Sequence, residues 1–525
     1  MTLIPQRLLG EALLFSAGRT PEKTALIVKG EEYSYAFVTG QSMRLARHLI
    51  NSGVRKGDRV AIYMHNSLQC AVAIYGSTLA GAIFLLINPQ TRAHKLQFIL
   101  NDCESSVLIA DSIYIDEISQ TLLNARSIRE LILTGELENR IAFPGIELVH
   151  FEDVMAGSES ETALPNVIPN DLAALIYTSG STGFPKGVMM THQSMVFTTW
   201  SLIQYLRLKE EDRIMLMLPL SFDYGLYQLL MSITIGGTLI VEQSFTFPAS
   251  IYKSVEQHQP TVFPGVPTIY AMMIASGKEH GIVFPCVEKI TNTAAALPAD
   301  FIPELEKIFP NALIFSMYGL TECKRVSYLE PELINEKPNS VGKPIPGTEV
   351  FLLSPEGNPV PVGEPGILHI RGPHVMAGYW NKAELSSEML KPGKIPGEMV
   401  LCSNDWFRMD EDGFLYFQGR NDDIIKSRGE KVSPIEIENL IQRIDGIREV
   451  AVFGIPDVLL GESIIACATL YNEAKIGEKD IMKKCITHLE LFMVPQKIVV
   501  LNDMPKSTNG KIDKKVLKSM FVEKA

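Results

Sequence analysis

Residues 177–191 read Y-T-S-G-S-T-G-F-P-K-G-V-M-M-T. Its first part, 177–187, holds three glycines (Gly180, Gly183, Gly187), five hydroxyl side chains (Tyr177, Thr178, Ser179, Ser181, Thr182) and one lysine, Lys186. Glycines let a backbone turn tightly and present several N–H groups to one anion. Hydroxyls add donors, and a lysine adds a point charge that can sit on phosphate. Together they are the means of gripping a polyphosphate. The alternative from composition is a Ser/Gly-rich linker. The flanking apolar segments, including the run 172–176, and the Pro185–Lys186–Gly187 step argue against it. The P-loop of NTPases needs G-x-x-x-x-G-K-[ST], and no segment of the chain fits that pattern.

Working outward, 525 residues allow two to four domains and a large core. Hydrophobic residues make up 46%, which is globular composition. A formal charge of −12 argues against a nucleic-acid surface, which needs clustered Lys and Arg. Seven cysteines stand singly, with no C-x-x-C pair, which suits a reducing cytoplasm and disfavours zinc or a disulfide scaffold. The start, Met1-Thr-Leu-Ile-Pro-Gln-Arg, does not read as a signal peptide. The uncharged run 70–87 barely reaches the ~20 residues of a membrane span. It reads instead as a buried helix ending near Gly81 and a short strand over 82–87.

Residues 1–170 alternate strand and helix signals. Strands are expected at 24–28, 59–64, 107–110 and 130–134, and a helix at 36–52 ending at Gly53. That alternation implies a mostly parallel sheet with helices on its faces. An apolar strand is expected to end at Pro219, with a helix starting near Tyr224 and Asp223 as its N-cap. Gly- and Pro-punctuated short strands are expected over 341–381. Residues 423–525 read as a compact module: helices at 434–443 and 478–491, strands at 450–454 and 463–470. His192 reads as a structural histidine.

Y-T-S-G-S-T-G-F-P-K-G-V resembles the phosphate-binding signature of the AMP-forming adenylating superfamily, which includes acyl-CoA synthetases, nonribosomal peptide synthetase adenylation domains and firefly luciferase. Partner motifs follow in the family's order. Residues 318–322 read Y-G-L-T-E, residues 403–405 read S-N-D where the family has T-G-D, residues 419–434 read G-R-N-D-D-I-I-K-S-R-G-E-K-V-S-P, and residues 505–513 read P-K-S-T-N-G-K-I-D. The resemblance implies nucleotide contacts from Thr178, Ser179, Gly180, Ser181, Thr182, Gly183 and Lys186, and from Ala295 and Ala296 in the adenine-side loop. It implies an aromatic face for adenine at Tyr318, with Gly319 and Thr321 beside it. Glu322 and Thr182 are implied for Mg²⁺, Asp405 for both ribose hydroxyls, and Arg420 for ribose or phosphate. Asn404 stands where the family has glycine, and it tolerates a left-handed backbone. Lys511 is implied as the catalytic lysine of adenylation, Lys426 as a residue of the thioester-forming loop, and Asp422 as the hinge.

The acid pocket is implied to draw on Phe222, Asp223, Tyr227, Thr268, Met317 and Arg325. Asp223 is open between the N-cap reading and a contact to a substrate amino group. Arg325 reads as a solvated charge, with a second carboxylate as its functional alternative. The implied fold is α/β: a large N-terminal domain of parallel-sheet subdomains plus a small β-rich subdomain over 1–421, then a hinged small α+β domain over 422–525. The implied activity is an ATP-dependent, AMP-forming acid–thiol ligase, with ATP, Mg²⁺ and CoA. The alternative is a stand-alone amino-acid adenylation enzyme loading the phosphopantetheine thiol of a separate carrier protein. The motifs are shared with luciferase-type oxygenases, and a non-catalytic nucleotide-binding module is the reading from a different class. A cytoplasmic enzyme with a small carboxylic acid substrate, no membrane span and no nucleic acid is expected.

Overall fold

The apolar run before the quoted stretch forms the strand Leu172–Thr178, buried over its first part and ending where the glycine-rich residues begin. The computed structural model describes residues 6–137, 142–157, 161–178, 185–245, 247–293, 297–420, 423, 425–427, 430–457, 460–471, 474, 476–489, 493–507 and 511–522. The strand lies in an eight-stranded sheet. On one side it pairs in parallel with Ile83–Leu86, beyond which come Arg59–Tyr63, Val107–Asp111, Glu130–Thr134 and Glu147–His150, all parallel. On the other it pairs antiparallel with Lys186–Thr191, which pairs in turn with Gly378–Tyr379.

A second sheet of nine strands runs from Lys343–Pro344 to Glu31–Ser34. Its centre is parallel: Leu313–Tyr318, Lys289–Asn292, Val262–Gly265, Arg213–Leu216, Thr238–Val241 and Thr24–Val28. The 1–170 alternation therefore serves two sheets rather than one, because Thr24–Val28 pairs with Thr238–Val241. The strand expected to reach Pro219 is Arg213–Leu216, three residues shorter. One apolar core joins both sheets. The helix Asp223–Ile235 is buried at every position, and Leu68–Leu79 is buried from Cys70 onward. A helix apolar all round belongs inside. The run 70–87 is thus a core helix followed by the strand Ile83–Leu86, and among the described residues no helix is long and apolar enough to cross a membrane.

A third, antiparallel sheet carries Glu349–Leu353, Gly366–Arg371, Met399–Met409, Leu390–Pro392 and Leu415–Arg420. A fourth holds Ile425–Ser427, Glu430–Val432, Ile447–Asp457, Gly461–Leu470 and Lys497–Leu501, with its own core against the helices Pro434–Gln442 and Glu478–His488. The second of those helices is shorter than expected, and a final helix, Lys514–Val522, was not signalled by the sequence reading. All seven cysteines are free.

Candidate active site

The strands Leu172–Thr178 and Leu313–Tyr318 deliver their next residues to the carboxyl ends of the two parallel sheets, where open α/β folds bind ligands. Of the glycine-rich stretch, Ser179, Gly180, Ser181, Thr182 and Gly183 lie outside the described residues, as do Ala295, Ala296, Asp422 and the Lys426 side chain. Thr178 is described, and its buried Oγ1 has no hydrogen-bond partner among the described residues. Such a group waits for one, since leaving it unpaired costs about 1–3 kcal/mol. The Tyr177 hydroxyl is not part of the cradle: it donates to Asp102 Oδ2 at 2.6 Å. Its ring explains Gly187, where an added Cβ would lie 3.0 Å from Tyr177 Cζ.

Lys186 and Glu322 meet. Lys186 Nζ lies 3.2 Å from Glu322 Oε1 and donates to the Tyr379 hydroxyl at 2.7 Å. Tyr379 donates to the same Glu322 oxygen at 2.6 Å, and its ring lies under the ammonium at 4.1 Å. Burial raises the Glu322 pKa, but Lys186 and the Tyr379 hydroxyl outweigh it and hold the carboxyl below its usual range. The turn that carries Glu322 is tight. A Cβ on Gly319 would sit 1.9 Å from the Lys324 carbonyl oxygen. The Lys324 N–H donates to Leu320 O at 2.6 Å, and Val326 N–H to Tyr318 O at 2.9 Å. Thr321 is half-buried within this turn.

Tyr318 donates to Asp405 Oδ2 at 2.5 Å, and its ring packs edge-on to Phe407 at 4.8 Å. Asp405 is 4% exposed, and among the described residues its Oδ1 has no hydrogen-bond partner, with Arg420 Nε at ion-pair distance, 3.5 Å. Burial pushes its pKa up, against the lowering pull of Arg420 and Tyr318. Its position is set by Ser403, whose hydroxyl receives the Asp405 N–H at 3.1 Å and donates to Leu368 O at 2.8 Å. Between them Asn404 adopts φ +57, the left-handed conformation that its neighbouring motif calls for. Lys511 joins this group from the far end of the chain. Its side chain keeps solvent access, yet desolvation lowers the ammonium pKa, Arg420 adds to that, and Asp223 and Asp405 oppose it.

Comparison with known proteins decides what this convergence is. The model of the AMP-binding enzyme family matches residues 14–380, and that of the AMP-binding enzyme C-terminal domain matches residues 436–511. The chain belongs to the AMP-binding enzyme family. A long-chain-fatty-acid–CoA ligase of Bacillus subtilis is 31% identical, with 97% of this chain and 94% of that protein covered. A feruloyl-CoA synthase of an Amycolatopsis species is 30% identical, with 96% and 97% covered. The ATP-bound crystal structure of MatB from Rhodopseudomonas palustris superposes with a TM-score of 0.87 at 25% identity, covering 98% and 99%. This AMP-binding enzyme is an AMP-forming ligase of the acyl-CoA synthetase type.

Two expectations for the acid side of this AMP-binding enzyme are corrected. Asp223 is not an N-cap: Phe222 takes that place, and the helix begins at Asp223. The carboxylate, 9% exposed, therefore sits in the first turn facing inward rather than bonding the helix's own N–H groups. Arg325 is not solvated but 3% exposed, because the tight turn folds it under the sheet. Its Nη1 donates to Lys324 O at 2.8 Å, and its guanidinium lies over the Tyr224 ring at 5.0 Å. Tyr227 and Met317 are buried with it, Phe222 packs edge-on to Tyr224, and Thr268 sits half-buried in the first turn of Pro267–His280. The sequence reading missed Tyr379, Ser403 and Lys324. His192 is buried, and its Nδ1 accepts the Leu9 N–H at 3.3 Å, a structural role.

Proposed function

We propose that this chain activates a carboxylic acid as its acyl-adenylate and passes the acyl group to the thiol of CoA. What supports the reading is the convergence of Thr178, Lys186, Glu322, Asp405, Arg420 and Lys511, drawn from five separated motifs. In the first step a carboxylate oxygen attacks the α-phosphorus of ATP, the bond to the β-phosphate oxygen breaks, and pyrophosphate leaves. Negative charge builds on the α-phosphate oxygens, and preorganised cations there are worth about 10²–10³ in rate each. Lys511 supplies that charge. Lys186 receives the outer phosphates by leaving Glu322, and Asp405 Oδ1 accepts the ribose hydroxyls. In the second step the CoA sulfur attacks the acyl carbon, the bond to the phosphate oxygen breaks, and AMP leaves.

Among the described residues no three His, Cys, Asp or Glu side chains gather as a metal cluster. Mg²⁺ fits a different donor set: one carboxylate shared with phosphate oxygens. Glu322, held ionised beside Lys186, is that carboxylate, and Thr182 is its proposed companion. Glu322 and Thr182 would hold Mg²⁺ there, and the ion would supply positive charge against the phosphate oxygens. We place the large domain at 1–421 and a lid at 422–525 turning about Asp422, so that one active site serves both steps.

A carrier-protein acceptor would accompany an amino-acid substrate, with Asp223 binding the amine. The fields of Lys324 and Lys511 both reach Asp223, which leaves little unmet negative charge for an ammonium group. ATP–pyrophosphate exchange over fatty, aryl and amino acids tests the proposal. The expected result is exchange only with an acid present, and AMP with acyl-CoA once CoA is added. ADP as product, or acyl transfer only to a carrier protein, would overturn it.

A further inference from the structure

The turn 319–325 buries two cationic side chains side by side, Lys324 and Arg325. Lys324 is fully buried, and its Nζ has no hydrogen-bond partner among the described residues. Its backbone is held at φ +68, a left-handed conformation that a lysine adopts at a cost. Next to it Arg325, also buried, has an Nε with no hydrogen-bond partner among the described residues. Retaining an unpaired buried cation costs several kcal/mol. A fold that needed only packing here would be more stable with an apolar residue. Burial works against the Lys324 ammonium; Asp223 and Glu322 favour it, and Arg325 opposes it from the same turn. Glu322 is already taken by Lys186 and Tyr379. Asp223 is then the remaining carboxylate whose field reaches Lys324, and it reaches Lys511 too.

The walls of the pocket are bulky and fixed. Tyr205 stacks on Tyr328 at 4.2 Å, and its hydroxyl donates to Met317 Sδ. The Tyr224 hydroxyl bonds Thr291, and Tyr227 is 1% exposed. Tyr205 and Tyr224, each held by its hydroxyl, leave little room beside Arg325 for a long alkyl chain.

Resting on the ligase reading above, we infer that the acid is short and carries a second carboxylate, which Lys324 and Arg325 receive at the pocket floor. One carboxylate reacts beneath Lys511 and the other neutralises the buried cations. A methyl-terminated acid would leave them unpaired. Binding a charged group to a site built for it discriminates far better than fitting a methylene, where about 10–200-fold is the range.

Wild-type enzyme, assayed by ATP–pyrophosphate exchange, takes matched acids of three to six carbons ending in methyl, primary amide or carboxylate, together with a long-chain fatty acid. The expected result is a kcat/KM at least about tenfold higher for the dicarboxylate than for its methyl and amide counterparts, and higher than for the long chain. Lys324→Met, close in volume and uncharged, should bring that preference below about threefold with the KM for ATP unchanged. Equal or better use of the methyl-terminated, amide or long-chain acid overturns the inference while leaving the ligase reading standing. So does a Lys324→Met enzyme that keeps the preference. If neither these acids nor any aryl or amino acid supports exchange, the ligase reading falls and the inference with it. Should Lys324→Met not fold, the wild-type panel decides alone.

Discussion

Tyr379 ties two distant parts of the site through one oxygen. Its hydroxyl gives a hydrogen bond to Glu322 and receives one from Lys186, with the ring held under the ammonium. Hydrogen bonds to charged groups contribute about 1.5–3 kcal/mol each. Tyr379→Phe keeps the ring and removes both bonds, leaving the Lys186–Glu322 ion pair without its shared anchor. The apparent KM for MgATP should rise about tenfold, as expected for about 1.4 kcal/mol of lost binding, with kcat within about threefold. An unchanged KM with a lowered melting temperature would make the tyrosine only structural. Nothing in the sequence around Tyr379 pointed to this, because its partners Lys186 and Glu322 lie 193 and 57 residues away. Glu322 and Asp405 were legible because their motifs name a residue type and a neighbour together. Arg325 was misread as solvated because an arginine in a polar turn usually is; only the fold shows that Gly319 draws the turn inward.

At the scale of elements, that turn is set by backbone contact rather than by side chains. A methyl on Gly319 would overlap the Lys324 carbonyl, which cannot move without breaking the Lys324–Leu320 and Val326–Tyr318 hydrogen bonds. Gly319→Ala should therefore cost about 3 kcal/mol in urea unfolding, at the upper end for overpacking, and displace Glu322. Gly40→Ala, where a Cβ meets nothing within 4 Å, is the control.

A second element-scale prediction concerns pH. The helix His192–Tyr205 holds the helix Leu9–Arg19 through the Leu9 N–H donated to His192 Nδ1. Burial drives the His192 pKa down to about 4, against the raising pull of Asp171 and Glu11. Unfolded, the imidazole titrates near 6.5. Between those values the unfolded chain binds more protons, so stability falls as pH drops from about 6.5 towards 4, by up to about 1.4 kcal/mol per pH unit. His192→Asn keeps an acceptor without the titration and should flatten this limb of the urea midpoint against pH. Strands and core helices were legible from apolar runs, whereas the start of Asp223–Ile235 was misplaced by one residue. That slip moved Asp223 from a cap to the inside of the pocket.

For the whole molecule, local pattern revealed alternation but not which sheet each strand joins. Thr24–Val28 reads like its sequence neighbours, yet it pairs with Thr238–Val241 because the chain start packs across the second sheet. Long-range pairing of this kind leaves no local signature. The arrangement also sets a demand on motion. Lys511 lies within the field of Asp405, Arg420 and Asp223, whereas Lys426 belongs to the strand Ile425–Ser427, whose hairpin partner is Glu430–Val432. Both residues come from the 422–525 segment, and one rigid segment cannot present two faces to one place at once. If Lys511 acts only in adenylation, Lys511→Ala should cut pyrophosphate exchange by about 10²–10³ and leave thioester formation from supplied acyl-adenylate near the wild-type rate. Lys426→Ala should do the reverse. Equal losses in both half-reactions for either variant would mean that a single arrangement of the segment serves both steps, and the lid proposal would have to be abandoned.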